Sequence, residues 1–325
     1  MADFGQFFAD CFRSGVLLSS ACALLVVPIA AWAALRLALP PLRKMSGDSA
    51  WQAGLAAIAA ILPGTLVLTL ALVALISGVH AACFQTATGR TLYAIIATVL
   101  VLSLIRATVL ARRRAAESNA LLRITVAPSE RLGRIAARLA ISVRELPVDE
   151  PFCALACIHR PAVIVSSRSL RDMNDAELTA ALLHERGHAR RGDQVVAASI
   201  SFLVDLFPMP SSSFVSIYRD AREFAADAHA LRHASPEDLA GALMTFTRDY
   251  QRVANMAALH GDSGFRRRLS ALLVENDRPA ALSAWNRFYV STIVAAVMFI
   301  GVSPAVMSLI NPAPCNHAAS SRMVM

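Results

Sequence analysis

Apolar and polar positions along this chain follow two patterns: long unbroken apolar runs, and stretches with the period of half-buried helices and strands. Four apolar runs reach the roughly 20 residues that a bilayer-spanning helix requires: 16–39, 53–76, 91–110 and 288–310. Arg36 and Arg106 lie near the ends of the first and third, where a long side chain can extend to the polar surface. The first run has an apolar core longer than that of a signal peptide and no A-x-A site before "LPPLRK", so it is read as retained.

Between the third and fourth runs the pattern becomes that of a folded domain. "LLRITVAP" predicts a strand, and "SERLGRIAARLA" an amphipathic helix starting at Ser129. "FCALACI" and "AVIVSS", separated by His159, Arg160 and Pro161, predict a hairpin. "NDAELTAALLHERGHARR" predicts a helix with Asn174 as N-cap, Glu177 completing a capping box and Gly192 as the stop. "VVAASISFLVDLF" is too short to cross a bilayer and is expected in the membrane surface or packed under the domain. "PMPSSS" breaks it, "FVSIYRDAREFAADAHALRH" predicts the next helix, and Pro236 opens another at its first helical position. The expected units are a membrane domain with three spans (1–114), a cytoplasmic domain (115–285), a fourth span (286–310) and a short external tail (311–325).

Composition agrees with this picture. Hydrophobic residues make up 56% of the 325 and charged residues 17%, too apolar for an ordinary soluble domain. The net charge of +8 comes from arginines beside the apolar runs rather than from a basic–aromatic surface, which argues against a nucleic-acid partner. Arg43 and Lys44 follow the first run, Arg112, Arg113, Arg114 and Arg123 follow the third, and Arg278 and Arg287 precede the fourth. The positive-inside rule then places 40–50 and 111–287 in the cytoplasm and both termini outside. The six cysteines are scattered; Cys153 and Cys157 near His159 hint at metal but read better as small buried strand residues.

The candidate chemistry lies in "LLHERGHARRGD". His184 and His188, four apart, share one helix face and can point at one ion. Glu185, about 100° around the helix, can instead reach a water on that ion, the arrangement of an H-E-x-x-H site with two ligands and a general base. A catalytic zinc takes three protein ligands and keeps a fourth position for water. Glu223 in "REFAAD", 35 residues after His188, is the candidate third ligand, and Asp227 one turn on could orient a ligand histidine. Tyr218, Arg222, His229 and His233 are open candidates for a transition-state donor, with solvated side chains as the alternative.

"HERGHARRGD" followed by "YRDAREFAADAHAL", after three expected spans and before a fourth, resembles the BlaR/MecR-type membrane zinc metallopeptidases. The upstream "PFCALACIHRPAVIVSSRSLRDMNDAELTAALL" is similar to that family's approach to its zinc helix. The resemblance implies a membrane α-helical protein with four transmembrane helices and an α+β zincin-like cytoplasmic metallopeptidase domain. It also implies Zn²⁺ held by His184, His188 and Glu223, Glu185 as the base and Asp227 as the supporting acid. The expected setting is a bacterial inner membrane, and the expected partners are the lipid bilayer and a protein substrate such as a transcriptional repressor or a membrane protein.

The E-F-A-A-D wording also resembles HtpX-type quality-control peptidases. A signalling scaffold that keeps the zincin fold without turnover is the competing class; a transporter would need more polar residues within the spans. Two departures stand out. About fifteen residues follow the last run, so beta-lactam sensing is not implied, and Gly187 inside the expected zinc helix costs about 1 kcal/mol relative to Ala, either to allow a close backbone approach or at the expense of the site.

Overall fold

The computed structural model describes residues 30–43, 49–80, 87–156, 161–206, 212–254, 262–273 and 290–295. They form a mostly helical molecule with one small sheet. After α1 (Leu39–Arg43), the second apolar run becomes the long helix α2 (Ser49–His80), which continues through Pro63. Within it, Trp51–Thr69 is long and apolar enough to cross a membrane, the one such segment found among the described residues. Most of the first and fourth expected spans lies outside the described residues. The third lies in α3 (Ala87–Arg123), a 37-residue helix that runs unbroken past 114 and 115. Ile95, Val99, Leu102, Ile105 and Val109 leave large apolar side chains exposed along α3 at helical spacing.

The continuity of α3 corrects the strand expected at "LLRITVAP". Helical register persists through Leu121 and Leu122, which pack beneath Leu146 and Ile164, and only Val126 bridges Glu145 in strand fashion. Helix α4 (Glu130–Leu139) follows as expected and buries Leu132, Ile135 and Ala136, although the Ser129 side chain makes no cap hydrogen bond.

β1 (Val143–Leu146), β2 (Cys153–Ala156) and β3 (Ala162–Ser166) pair in the order β1-β3-β2. The expected β2–β3 hairpin forms in antiparallel register, Leu155 opposite Val163, while β1 joins β3 in parallel. β3 is central and buried throughout, which is why its sequence is continuously apolar rather than alternating. β2 is an edge strand. Cys157 and His159, the hint of a second metal site, fall outside the described residues.

After α5 (Ser167–Asp172) comes α6 (Asp175–Arg191), which carries the H-E-x-x-H run. Its start is the expected capping box: the Asn174 side chain accepts from the backbone N–H groups of Ala176 and Glu177, and the Glu177 side chain accepts from the Asn174 N–H. Its end is Gly192 in the left-handed conformation, φ 63°, where a side chain would be strained. α7 (Asp193–Leu206) packs on α2 and α3, and Arg114 pairs with Asp205 at 2.5 Å across the latter contact.

α8 (Ser212–Ala230), α9 (Pro236–Ala254) and α10 (Asp262–Leu273) complete the described domain, with Pro236 at its expected helical start. Two cores result. In one, Leu55, Ala59, Leu62 and Leu66 of α2 enclose Phe214, Ile217 and Tyr218 of α8. In the other, Leu132, Ile135, Val163, Val165, Leu178 and Leu182 bind α4, the sheet and α6. Each fully buried Leu or Val in such a cluster contributes about 1.5–3 kcal/mol. Further along, α8 packs on α6 through Ala230 against Ala180 and Leu183, so Glu223 sits between two fixed ends.

Candidate metal centre

The i, i+4 spacing on α6 places His184 and His188 on one buried face. Their rings stand nearly perpendicular, and their Nε2 atoms are 3.1 Å apart. α8 crosses this face with Glu223 leading: Oε2 is 3.4 Å from His184 Nε2 and Oε1 is 3.6 Å from His188 Nε2. Ligand atoms of the three residues all lie within 4.8 Å of one another, a group able to hold a metal ion.

What allows α8 to come so close is Gly187. A Cβ there would lie 3.1 Å from the His229 Cβ and 3.2 Å from the Ala226 Cα. The glycine inside the H-E-x-x-H run is therefore the contact point between α6 and α8. Its propensity cost stands; the close approach is what it makes possible.

Each histidine is backed by an acid. His188 Nδ1 hydrogen-bonds Asp193 Oδ2 at 2.7 Å, which fixes the proton on that nitrogen and turns the Nε2 lone pair inward. His184 Nδ1 lies 2.8 Å from Asp227 Oδ1, within reach of the carboxylate's charge but out of line for a straight hydrogen bond. Each acid is gripped in turn by an arginine. Arg191 Nη2 donates to Asp193 Oδ2 at 2.5 Å, and Arg268 Nε and Nη2 donate to the two oxygens of Asp227 at 2.7 Å each. Glu223 receives Arg222 on Oε1 at 3.0 Å and Arg268 on Oε2 at 3.1 Å.

Charge follows this geometry. Burial works to lower His184, but the Asp227 and Glu223 carboxylates beside it prevail and push it up to about 9. His188 is raised in the same way: burial opposes, and Asp193 and Glu223 prevail. Burial works to raise Glu223, yet the two histidines and Arg268 hold it far below the usual carboxylate range. Without an ion, then, the pocket draws protons to its imidazoles.

The donor set fits the ion that the sequence suggested. Two imidazole nitrogens and one carboxylate, with acids behind the rings, match in kind the three protein ligands that an open zinc site takes. Neutral rings with Nδ1 facing an acid would place two lone pairs 3.1 Å apart beside a carboxylate, a repulsive arrangement that a cation relieves.

Glu185 points away from this cluster toward β2. Its Oε2 accepts the Leu155 backbone N–H at 2.8 Å, and the Gln194 side-chain amide donates to the Leu155 carbonyl. Burial raises the Glu185 carboxyl above its ordinary value, with His184 and His188 opposing. Beside it, Cys153, Ala181, Leu239, Ala242 and Phe246 line a small apolar recess.

The structure thus brings together His184, His188, Glu223 and Asp227 and puts Glu185 on the β2 side of the same helix. Sequence reasoning missed Asp193, although it closes the run "HARRGD", and Arg268, one of three successive arginines. Of the open donor candidates, Tyr218 directs its hydroxyl to the Asp193 carbonyl at 3.4 Å, and Arg222 is engaged with Glu223.

A group of two histidines and a glutamate able to hold a metal ion, with a further half-buried glutamate beside it, is what metallopeptidase chemistry requires. Residues 70–272 match the family model of the BlaR1 peptidase M56, and the chain belongs to that family. The family is membrane-associated, in keeping with the apolar helix at Trp51–Thr69. No curated protein and no solved structure matches the chain.

Proposed function

We propose that the chain is an integral-membrane zinc endopeptidase that cleaves a protein substrate at the cytoplasmic membrane face, in regulated proteolysis. The observation that carries this reading is the convergence of both Nε2 atoms and the Glu223 carboxylate on one point, with Glu185 one residue from the first ligand. His184, His188 and Glu223 would hold Zn²⁺, which when bound polarises a scissile carbonyl and lowers the pKa of water at the site. Glu185 accepts a proton from the attacking water and passes it to the leaving amine. Asp193 and Asp227 keep the rings oriented while charge builds beside them.

The outer edge of β2, bonded at Leu155 only to side chains, supports an extended peptide as the substrate form, pairing as an added strand. Leu155 is the natural docking residue, because its N–H and carbonyl face Glu185 and Gln194 rather than β3. A docking peptide takes those bonds over, and Glu185 is released from the strand toward the water it deprotonates. The apolar content, the arginine distribution and the exposed apolar face of α3 support four membrane spans with the site on the inner side.

The test is the purified full-length protein, assayed for zinc content and for cleavage of casein or of a native partner found by comparing membrane and cytosolic proteomes. Glu185→Gln is expected to keep the metal and lose about 10²–10⁴-fold in turnover. Unchanged cleavage by that variant would reject the chemistry. Zinc retained by a wild-type chain that cleaves nothing would favour a scaffold.

A further inference from the structure

Glu223 and Asp227 sit one turn apart on α8 and face the same imidazole, His184. A buried carboxylate and a half-buried one held that way repel each other, and without counter-charge their side chains would rotate apart. Besides the histidines and Arg222, one counter-charge that reaches both acids arrives from far along the chain. Arg268 of α10 is only 14% exposed, straddles Asp227 with Nε and Nη2 at 2.7 Å each, and places Nη1 3.1 Å from Glu223 Oε2.

We propose that Arg268 is a positioning residue: its guanidinium sets the relative orientation of Glu223 and Asp227, so that seating α10 against α8 makes the site competent to bind the cation. The inference rests on the reading that His184, His188 and Glu223 hold the metal. Three features favour this role over simple charge neutralisation. The planar fork matches both oxygens of Asp227 and still has a third nitrogen for Glu223, a division that a lysine ammonium cannot reproduce. Arg222 reaches Glu223 from the same helix at 3.0 Å, so it cannot tie α8 to another element. And the Asp227–His184 contact is out of line, so the angle of that carboxylate depends on what grips its far side.

The experiment measures Zn²⁺ affinity of the full chain by competition with a fluorescent chelator, with thermal unfolding as the control for folding. Arg268→Gln is expected to lose about 10–100-fold in affinity, the usual effect of removing a group behind a metal ligand. Arg268→Lys, which keeps the charge and one partner, is expected to fall between the two. Asp227→Asn added to Arg268→Gln is expected to cost less than it does alone, because the two residues act through one contact.

Parental affinity in folded Arg268→Gln would overturn the proposal, as would full additivity of the two substitutions. If Arg268→Gln does not fold, Arg268→Lys decides: a measurable loss of affinity supports the clamp, and parental affinity overturns it. A parent chain that binds no Zn²⁺, or that binds it equally well after His184→Ala, would reject the metal reading and this inference with it. A parent that binds while folded Arg268→Gln binds just as well would reject the inference alone.

Discussion

The two histidines are supported alike but assembled differently. His188, Asp193 and Arg191 lie within six consecutive residues, around the Gly192 turn that ends α6. His184, Asp227 and Arg268 come from α6, α8 and α10, the first and last 84 positions apart. The first arm forms when one helix ends correctly. The second exists only when three helices have docked, and its histidine–acid contact is the misaligned one. The same chemistry thus has a local half and a tertiary half, and the tertiary half makes the site conditional on the fold.

Removing each acid tests that difference most strongly. Asp227→Asn and Asp193→Asn are each expected to weaken Zn²⁺ binding by about 10–100-fold, but their stability costs should diverge. Asp227→Asn leaves Arg268, 14% exposed, with Glu223 as its remaining charged partner and is expected to cost about 3 kcal/mol. Asp193→Asn leaves Arg191, 27% exposed, able to turn to water, at a cost of about 1 kcal/mol. Paired metal titrations and denaturant melts check this, and equal melting losses would erase the distinction between the arms.

Gly187→Ala probes the tertiary arm without touching a ligand. It gains about 1 kcal/mol in helix propensity but forces a Cβ to 3.1 Å from His229, an overpacking that costs about 1–3 kcal/mol. The expected result is a small net loss of stability and weaker zinc binding, as α8 retreats with Glu223 and Asp227. A more stable variant with parental affinity would show that the close approach is not needed. The smallest effect is expected from Asn174→Ala, which removes the capping box at the far end of α6. It should cost about 1 kcal/mol in a melt and leave zinc affinity unchanged, since both arms lie three turns away.

What could be read in the sequence tracks the same division. The capping box at Asn174, the stop at Gly192, the β2–β3 hairpin and the His184/His188 pair are encoded within a few residues each, and all were legible. Glu223 and Asp227 were legible because i, i+4 spacing places both on one side of a helix. Asp193 was within sight but was passed over, because a helix-based reading stops at the glycine that folds it back onto His188. Arg268 carried no usable signal: within a run of three arginines, only packing reveals that this one reaches Asp227 and Glu223. The strand expected at "LLRITVAP" failed for a related reason, since α3 draws Leu121 and Leu122 into its own register before Val126 can pair.

The seating of Phe214, Ile217 and Tyr218 among the α2 side chains has a practical consequence for anyone wanting a water-soluble fragment. Cutting the chain at 114 would sever α3 in mid-helix, free Asp205 from Arg114 and lay open the apolar flank of α8. Glu223 lies nine residues beyond Phe214, about 13 Å along the same rod at 1.5 Å per residue. A trimmed fragment would therefore lose the footing of Glu223, the proposed third ligand, so biochemical work should keep the hydrophobic helices attached.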